Sequence, residues 1–317
     1  MKASHRATLA RTWSELLRER VRGPVLDHEP MASHTAFRIG GPADVLVIPE
    51  SRDDLARALE TCHRHGLPVT VIGRGSNLLV SDDGIEGVVI QIARGLSRAE
   101  FNGTTLEVEA GAPLPAMSWQ AAMHGLSGLE FGVMIPGSVG GGIVMNAGAH
   151  HRAIGSVVES VLCFGPDGSE VRLSAEDLRF AYRHSVLQSR PDLAVVSARL
   201  QLAPRPVEAI TAEMESYLEA RRRTQPLGEP GAGSIFKNPP GDYAGRLIEQ
   251  AGLKGWRRGD VEVSPIHANF IVNKGRATCV EMLDAIRMVR RRVQEAFGVT
   301  LELEVKVVGR FVSAPLE

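Results

Sequence analysis

Cysteine is scarce. The three present, Cys62, Cys163 and Cys279, lie far apart and at no metal-ligand spacing, and they cannot all pair with one another. That excludes a disulfide scaffold, gives no zinc or other metal site, and fits a reducing compartment. Aromatic residues are also few, at 5% of the chain. Long apolar runs are missing: none approaches the roughly 18 residues that suggest a membrane span. The N-terminus lacks the uninterrupted apolar core of a secretory signal. Residues 1 to 20 are Arg-rich and weakly amphipathic, with Leu9, Trp13, Leu16 and Leu17 at helical spacing, while Glu15 and Glu19 interrupt any transit-peptide pattern. A terminal helix of a cytoplasmic protein is expected. Excess charge of one sign is absent too. A formal net charge of −1 and a pI near 6.8 supply no field for steering to nucleic acid or an anionic membrane. Neither is expected as a partner, and any basic site must be local.

What is present is ample core material, with 44% hydrophobic and 23% charged residues over 317 positions. That is enough for two or three domains. The 33 glycines and 18 prolines imply many tight turns. The most telling stretch is Val71-Ile72-Gly73-Arg74-Gly75-Ser76-Asn77-Leu78-Leu79-Val80, where one apolar run stops at two glycines and another restarts at Leu78. Consecutive N–H groups left unpaired by such a turn form an anion-sized nest suited to a diphosphate. It is not a Rossmann loop, which needs glycine at position 78 and a following helix, nor a Walker loop, which needs Gly-Lys-Ser/Thr. Taken alone, the stretch also reads as a plain turn between buried strands.

Along the chain, a strand at Asp44 to Ile48, a helix opened by Ser51 with Asp54 and closed at Gly66, and a strand at Val69 to Ile72 deliver the backbone to Gly73. Near residue 100 the pattern becomes strand-dominated, with Thr104 to Glu109 alternating and a helix running through Met123. The run Gly128 to Gly148 holds seven glycines. They serve either close packing of elements or the approach of backbone donors to a ligand, and a large cofactor bridging this loop and Gly73–Asn77 favours the second. Pro166-Asp167-Gly168 marks a hairpin, Ser174 with Asp177 a helix start, and Pro204 with Pro206 a boundary before a charged helix from about Val207 to Arg223. A third glycine-rich loop, Gly231 to Gly241, opens the last segment. A helix over Ala244–Gln250, a strand over Val261–Val263 and a long helix from the capping box Thr278/Glu281 to Gly298 follow. Its Arg287, Arg290, Arg291 and Arg292 read as a solvated face rather than a nucleic-acid patch. Leu301 to Val308 alternates strictly, placing Glu302, Glu304 and Lys306 on one face.

Several stretches carry a family resemblance in order along the chain: Thr35-Ala36-Phe37-Arg38-Ile39-Gly40-Gly41-Pro42-Ala43, Gly73 to Val80, Ile135-Pro136-Gly137-Ser138-Val139-Gly140-Gly141, Met145-Asn146-Ala147-Gly148, Tyr182-Arg183-His184-Ser185, Gly233 to Pro239, His267 to Asn273 and Leu303-Glu304-Val305. Together they resemble the UDP-N-acetylenolpyruvoylglucosamine reductases, the FAD enzymes that complete UDP-N-acetylmuramic acid in bacterial cell-wall synthesis. The resemblance implies an α+β chain: a two-part FAD-binding domain of the vanillyl-alcohol-oxidase (PCMH) type and a C-terminal α/β substrate domain. It also implies NADPH as hydride donor and no metal. The expected segments are 1–30 (lead-in helix), 31–98 and 99–204 (FAD subdomains) and 205–317 (substrate domain), in a monomer. FAD contacts carry over to Gly73, Arg74, Gly75, Ser76, Asn77, Pro136, Gly137, Ser138, Gly141, Asn146 and Ile154, through backbone amides more than side chains. The sugar nucleotide carries over to Lys237, Asn238 and Asn269, each of which could equally stabilise its loop.

Family catalytic positions fall on Arg183, Ser234 and Glu304, and the implied reaction explains the residue types. Hydride delivered to the terminal carbon of an enolpyruvyl ether leaves negative charge beside the carboxylate. Arg183 can pair with that carboxylate as the charge grows, although an arginine in such a segment is commonly a structural ion pair. Ser234 would protonate the carbon, helped by a nearby cation such as Lys237; read alone it is a turn residue. Glu304 either orients the relay or acts as an acid, which predicts a raised pKa, with Glu302 as the competing candidate. The three are expected to meet over one face of the flavin.

Some positions depart from the family pattern. His150-His151 stands where an aromatic or polar residue and then glycine are usual, and Gly142 where alanine is usual. Only Gln188 to Asp192 separates the Arg183 segment from the next strand, so the chain resembles the second subclass, without the tyrosine-bearing capping loop. Two rival readings remain. A flavin oxidase of the same superfamily acting on an alcohol or sugar would consume no NADPH, and a pure binding module would need no convergence of Arg183, Ser234 and Glu304.

Overall fold

The computed structural model describes residue 10 and residues 12–311. Leu9 of the expected terminal helix lies outside them; residues 12–18 are helical, with Leu17 fully buried. The chain divides into two compact units, and both are discontinuous in sequence. The first gathers the chain up to Glu29, Asp44–Arg74 and Gly87–Ala220. The second gathers Pro30–Ala43, Gly75–Glu86 and the chain from Arg221.

In the first unit a four-stranded sheet has the order Val25–Asp27, Ala43–Val47, Ile85–Gln91, Val69–Ile72. Its last pair runs parallel, with Val69 opposite Val88. The connecting helix Arg52–Arg64 starts where Ser51 accepts the Asp54 N–H. The Asp54 carboxylate does not return the bond to Ser51. It accepts instead from the backbone N–H groups of Arg22, Gly23 and Glu50, stitching the N-terminal segment onto the helix start. A five-stranded antiparallel sheet follows, ordered Glu170–Ser174, Val158–Phe164, Ala194–Gln201, Thr105–Glu109, Ala99–Asn102. Its alternating apolar side chains join those of the first sheet and of helix Leu114–Met123 in one core. Helix Val207–Thr224 lays Ile210 and Met214 against Ala122, Val133 and Met134.

The second unit holds a three-stranded antiparallel sheet, Arg257–Arg258, Val261–Val263 and Ile271–Asn273. It also holds helices Ala244–Gln250 and Cys279–Phe297. The long helix has the expected reciprocal Thr278/Glu281 box and a left-handed Gly298 at its end, φ +69°. The unit boundaries depart from the contiguous segments expected from sequence, for a packing reason. Phe37, Ile39 and Leu79 are buried in the same core as Ile235, Phe236, Leu283 and Ile286. Strand Leu78–Val80 is also the parallel partner of Lys306–Val308. The expected continuous strand Leu301 to Val308 is therefore two short pieces, a bridge of Leu303 to Phe236 and the ladder from Lys306, with a bend at Val305 between them. The burial alternation largely survives: Leu301 and Val305 are buried, Glu302 and Lys306 exposed.

Candidate active site

In the first unit the Arg183 segment is a tight turn in which Ala181 and His184 exchange both backbone hydrogen bonds, at 3.1 Å each. Arg183 takes a left-handed backbone, φ +52°, a conformation that side chains other than Gly, Asn and Asp rarely adopt. Such a residue persists only when its surroundings over-determine it, and they do. The Asn146 amide donates to Ala181 O at 2.7 Å. Ser185 Oγ donates to Val144 O at 2.7 Å, and the Gln188 amide donates to Arg183 O at 2.9 Å. The Arg183 guanidinium itself donates to Gly148 O at 2.8 Å and lies over the Tyr182 ring, 5.3 Å from its centroid.

Two residues expected to contact the cofactor are engaged by this packing. Asn146 is buried, and its amide oxygen accepts from Gly155 N at 3.0 Å while its nitrogen holds the Arg183 turn. Both polar atoms of its side chain are occupied by the fold. Ile154 has 0% of its surface exposed and packs in the core.

The two glycine-rich loops of this unit meet at Gly73 and Ser138. A Cβ on Gly73 would stand 2.6 Å from Ser138 Oγ, so the approach of the protein's own hydroxyl favours glycine there. That hydroxyl caps helix Val139–Met145 by accepting from Gly141 N at 3.3 Å. Among the seven glycines of this run, Gly132 and Gly140 are held by packing against Leu114 with Ser118 and against Ala110. Gly141 is exposed, and a side chain there would meet nothing closer than Ser138 Oγ at 3.5 Å. Pro136 is also exposed. Among the described residues, nothing accepts the backbone N–H groups of Gly137 and Ser138.

The same holds for the four consecutive N–H groups from Arg74 to Asn77. Gly75 sits at φ +65° with its missing Cβ only 1.9 Å from His34 O, which presses the loop into a shape that leaves those amides unbonded. A run of amide donors with no acceptor in the protein fits the nest expected for a diphosphate such as that of FAD.

In the second unit the Ser234 loop and the Glu304 segment pair directly. Phe236 bridges Leu303, Lys237 N donates to Glu302 O at 2.8 Å, and Ile235 O accepts from both Glu304 N at 2.8 Å and Val305 N at 3.3 Å. One carbonyl serving two successive amides is a bulge, which re-aims the side chain it carries. Ser234 is half-buried, and among the described residues its hydroxyl makes no hydrogen bond. Asn77 fastens the glycine loop to this strand: its amide donates to Glu304 O at 3.0 Å and its carbonyl accepts from Lys306 N at 3.0 Å.

Of the expected substrate residues, Lys237 is half-buried with Nζ 3.5 Å from Glu302 Oε2, while the Glu302 side chain is 77% exposed. Asn238 is exposed and its amide oxygen accepts from Ala244 N at the start of helix Ala244–Gln250. Asn269, expected to meet the substrate, clasps its own loop. It is buried, its oxygen accepts from Phe236 N at 3.0 Å and its nitrogen donates to Phe236 O at 2.8 Å. Lys306 was not singled out from sequence, although the alternation put it on the Glu304 face. Burial first, and then the charge of Lys237, push its pKa below the ordinary lysine value, so two cations share this region of the unit. Among the described residues no group of His, Cys, Asp or Glu is placed to hold a metal ion, and no helix is long and apolar enough to cross a membrane.

Comparison with known proteins accounts for both units. A family model described as an FAD binding domain matches residues 43–174. A second, described as the C-terminal domain of UDP-N-acetylenolpyruvoylglucosamine reductase, matches residues 225–308. UDP-N-acetylenolpyruvoylglucosamine reductase 2 of Symbiobacterium thermophilum is 47% identical, over 93% of this chain and 96% of that one. The UDP-N-acetylenolpyruvoylglucosamine reductase of Bacillus subtilis is 43% identical, over 92% and 97%. The crystal structure of the Thermus caldophilus reductase superposes with a TM-score of 0.77 at 40% identity, covering 90% of this chain and 98% of that one. Identity of this degree over nearly the full length of both chains places the protein in the UDP-N-acetylenolpyruvoylglucosamine reductase family.

Proposed function

We propose that this protein reduces the enolpyruvyl ether of UDP-N-acetylglucosamine enolpyruvate to UDP-N-acetylmuramate, a peptidoglycan precursor, with NADPH as hydride donor and FAD as its cofactor. The unaccepted amides of Arg74 to Asn77 and of Gly137 and Ser138 would hold the FAD diphosphate, with Gly141 and Pro136 as open neighbours. Bound FAD supplies the two-electron relay between NADPH and the terminal carbon of the substrate.

The chain's own residues do the rest. Arg183, always protonated, pairs with the substrate carboxylate and stabilises the charge that grows beside it. Ser234 Oγ gives its proton to the carbon next to that carboxylate, and the cations Lys237 and Lys306 lower the cost of the serine anion. Glu304 orients this proton transfer. Its half-buried position on the bulge fits the role better than that of Glu302, whose carboxylate is mostly in solvent. Lys237 and Asn238 meet the sugar nucleotide, while Asn269 acts on it only through the loop it clasps. The short connection from the Arg183 turn to strand Ala194–Gln201, one 3-10 turn at Val186–Ser189, leaves the substrate side open, as in the second subclass. The enzyme works as a cytoplasmic monomer.

The observation that carries this reading is the Ser234 hydroxyl, unbonded among the described residues, in a loop whose next carbonyl binds the Glu304 amide. An oxidase of the same superfamily leaves that loop without a task. The test is direct. The purified protein should be yellow and should oxidise NADPH only when the enolpyruvyl sugar nucleotide is added; a colourless protein, or oxidation of an alcohol by oxygen without NADPH, refutes it.

A further inference from the structure

We propose that His150 is a positioning residue for Arg183: its ring, stacked on Tyr217, fixes the hairpin whose Gly148 carbonyl holds the Arg183 guanidinium. The inference rests on the reading of Arg183 as the group that meets the substrate carboxylate.

The hairpin pairs Gly148–Ala149 with Arg152–Ala153, so His150 and His151 are its two turn residues. Both are left-handed, at φ +51° and +61°. That is the turn for which Asn-Gly is preferred, because both positions are left-handed, where Cβ crowds the following carbonyl oxygen and only glycine, and to a lesser degree asparagine, is readily accepted. Histidine enters the left-handed region more readily than most side chains but less readily than glycine, so contacts outside the turn help to hold it. Two sets do. The His150 ring lies 3.9 Å from the Tyr217 ring at an interplanar angle of 7°, a flat stack on helix Val207–Thr224. Burial first, and His151 second, hold the His150 pKa below the ordinary histidine value against the pull of Glu213, so the stacked ring is neutral at neutral pH. On the other strand, Arg152 donates to Glu130 at 3.0 Å, and the Glu130 side chain is fully buried. Tyr217 is itself fixed, its hydroxyl donating to Glu213 at 2.6 Å and Glu213 in turn binding Arg205.

Gly148 transmits this order. A Cβ there would lie 2.2 Å from Arg152 O, so the two strands are in backbone contact and the Gly148 carbonyl moves with the hairpin. That carbonyl, two residues from the stacked ring, takes the Arg183 Nη2 hydrogen bond at 2.8 Å. Loosening the stack frees the carbonyl and with it the guanidinium. Replacing His150 by glycine relieves the turn's φ but removes the stack, so stability and turnover separate.

The test compares His150→Gly, His150→Phe, Tyr217→Leu and Arg183→Met in the holoenzyme. His150→Gly and Tyr217→Leu are expected to lower kcat for the enolpyruvyl substrate about tenfold, the scale of a sub-ångström misplacement, with the rate of flavin reduction by NADPH unchanged. His150→Gly should melt no lower than the parent, and His150→Phe, which keeps a flat ring, should retain kcat. Parent-level kcat in His150→Gly, or an equal loss in His150→Phe, overturns the proposal while a large loss in Arg183→Met leaves the reading of Arg183 standing. Parent-level kcat in Arg183→Met overturns both.

Discussion

Gly73→Ala offers a quantitative test of how the two glycine-rich loops of the first unit are joined. The added methyl would sit 2.6 Å from Ser138 Oγ but 3.8 Å from Ser138 Cβ, so the conflict is with the hydroxyl alone. The hydroxyl escapes by rotating, and in doing so it abandons Gly141 N, which it accepts at 3.3 Å as a helix cap. Loss of a serine cap costs about 1 kcal/mol, within a range of roughly 0.5–2 kcal/mol. Gly73→Ala should therefore cost about as much as Ser138→Ala, each lowering the melting temperature by about 2–4 °C in a unit of this size. The double variant should cost about the same 1 kcal/mol rather than about 2, because without the hydroxyl there is nothing left for the methyl to strike. Thermal melts of the four proteins with FAD bound give the coupling, and quenching of FAD fluorescence during titration follows the loop's affinity for the cofactor. Equal cost of Gly73→Ala in the parent and in the Ser138→Ala background would refute the reasoning.

Ser234→Ala is expected to lower turnover by about 10²–10⁴-fold, the usual contribution of a positioned proton donor. Stopped-flow reduction of the flavin by NADPH should be untouched, and a fall of less than about tenfold would remove Ser234 from the mechanism. Glu304→Ala should lose turnover and Glu302→Ala should keep it; steady-state assays giving the reverse order would reassign the carboxylate. Asp54 makes a pH prediction. Burial works to raise its pKa, but the N–H groups of Arg22, Glu50 and Gly23, with Arg57, outweigh burial and hold it below the ordinary value. A carboxylate depressed in the folded state stabilises above its unfolded pKa of about 3.9 and loses that contribution as pH falls through the folded value. Asp54→Asn should be destabilised at neutral pH, with the gap to the parent closing below about pH 4 in urea melts; a gap constant from pH 7 to 3 would contradict the assignment.

The elements most legible in the sequence were those set by local rules. Strand Val69–Ile72, helix Ala244–Gln250 and the Thr278/Glu281-capped helix ending at Gly298 stand where periodicity and caps placed them. The Ser174/Asp177 box is reciprocal as expected, whereas Asp54 is drawn away from Ser51 by three amides, at Arg22, Gly23 and Glu50. Local pattern carries no information on such competition. The glycine-rich loops could be found, but not which glycine yields to a neighbour: Gly75 answers to His34, Gly140 to Ala110 and Gly73 to Ser138. For the same reason the sequence does not show that the Asn146 amide engages Ala181 and Gly155, or that the Asn269 amide engages Phe236. The unit boundaries were hidden because Phe37, Ile39 and Leu79 join a core whose remaining members come more than a hundred residues later.

That interleaving bears on how the gene can be cut. The chain passes from one unit to the other after Glu29, Ala43, Arg74, Glu86 and Ala220. A fragment starting at Arg221 would carry most of a fold yet lack the strand that Lys306–Val308 zips onto and the side chains of Phe37, Ile39 and Leu79 that plug its interior. Expressed alone it should be a sticky, partly melted polypeptide, and supplying residues 30–43 and 75–86 as a tether or in trans should be what makes it soluble.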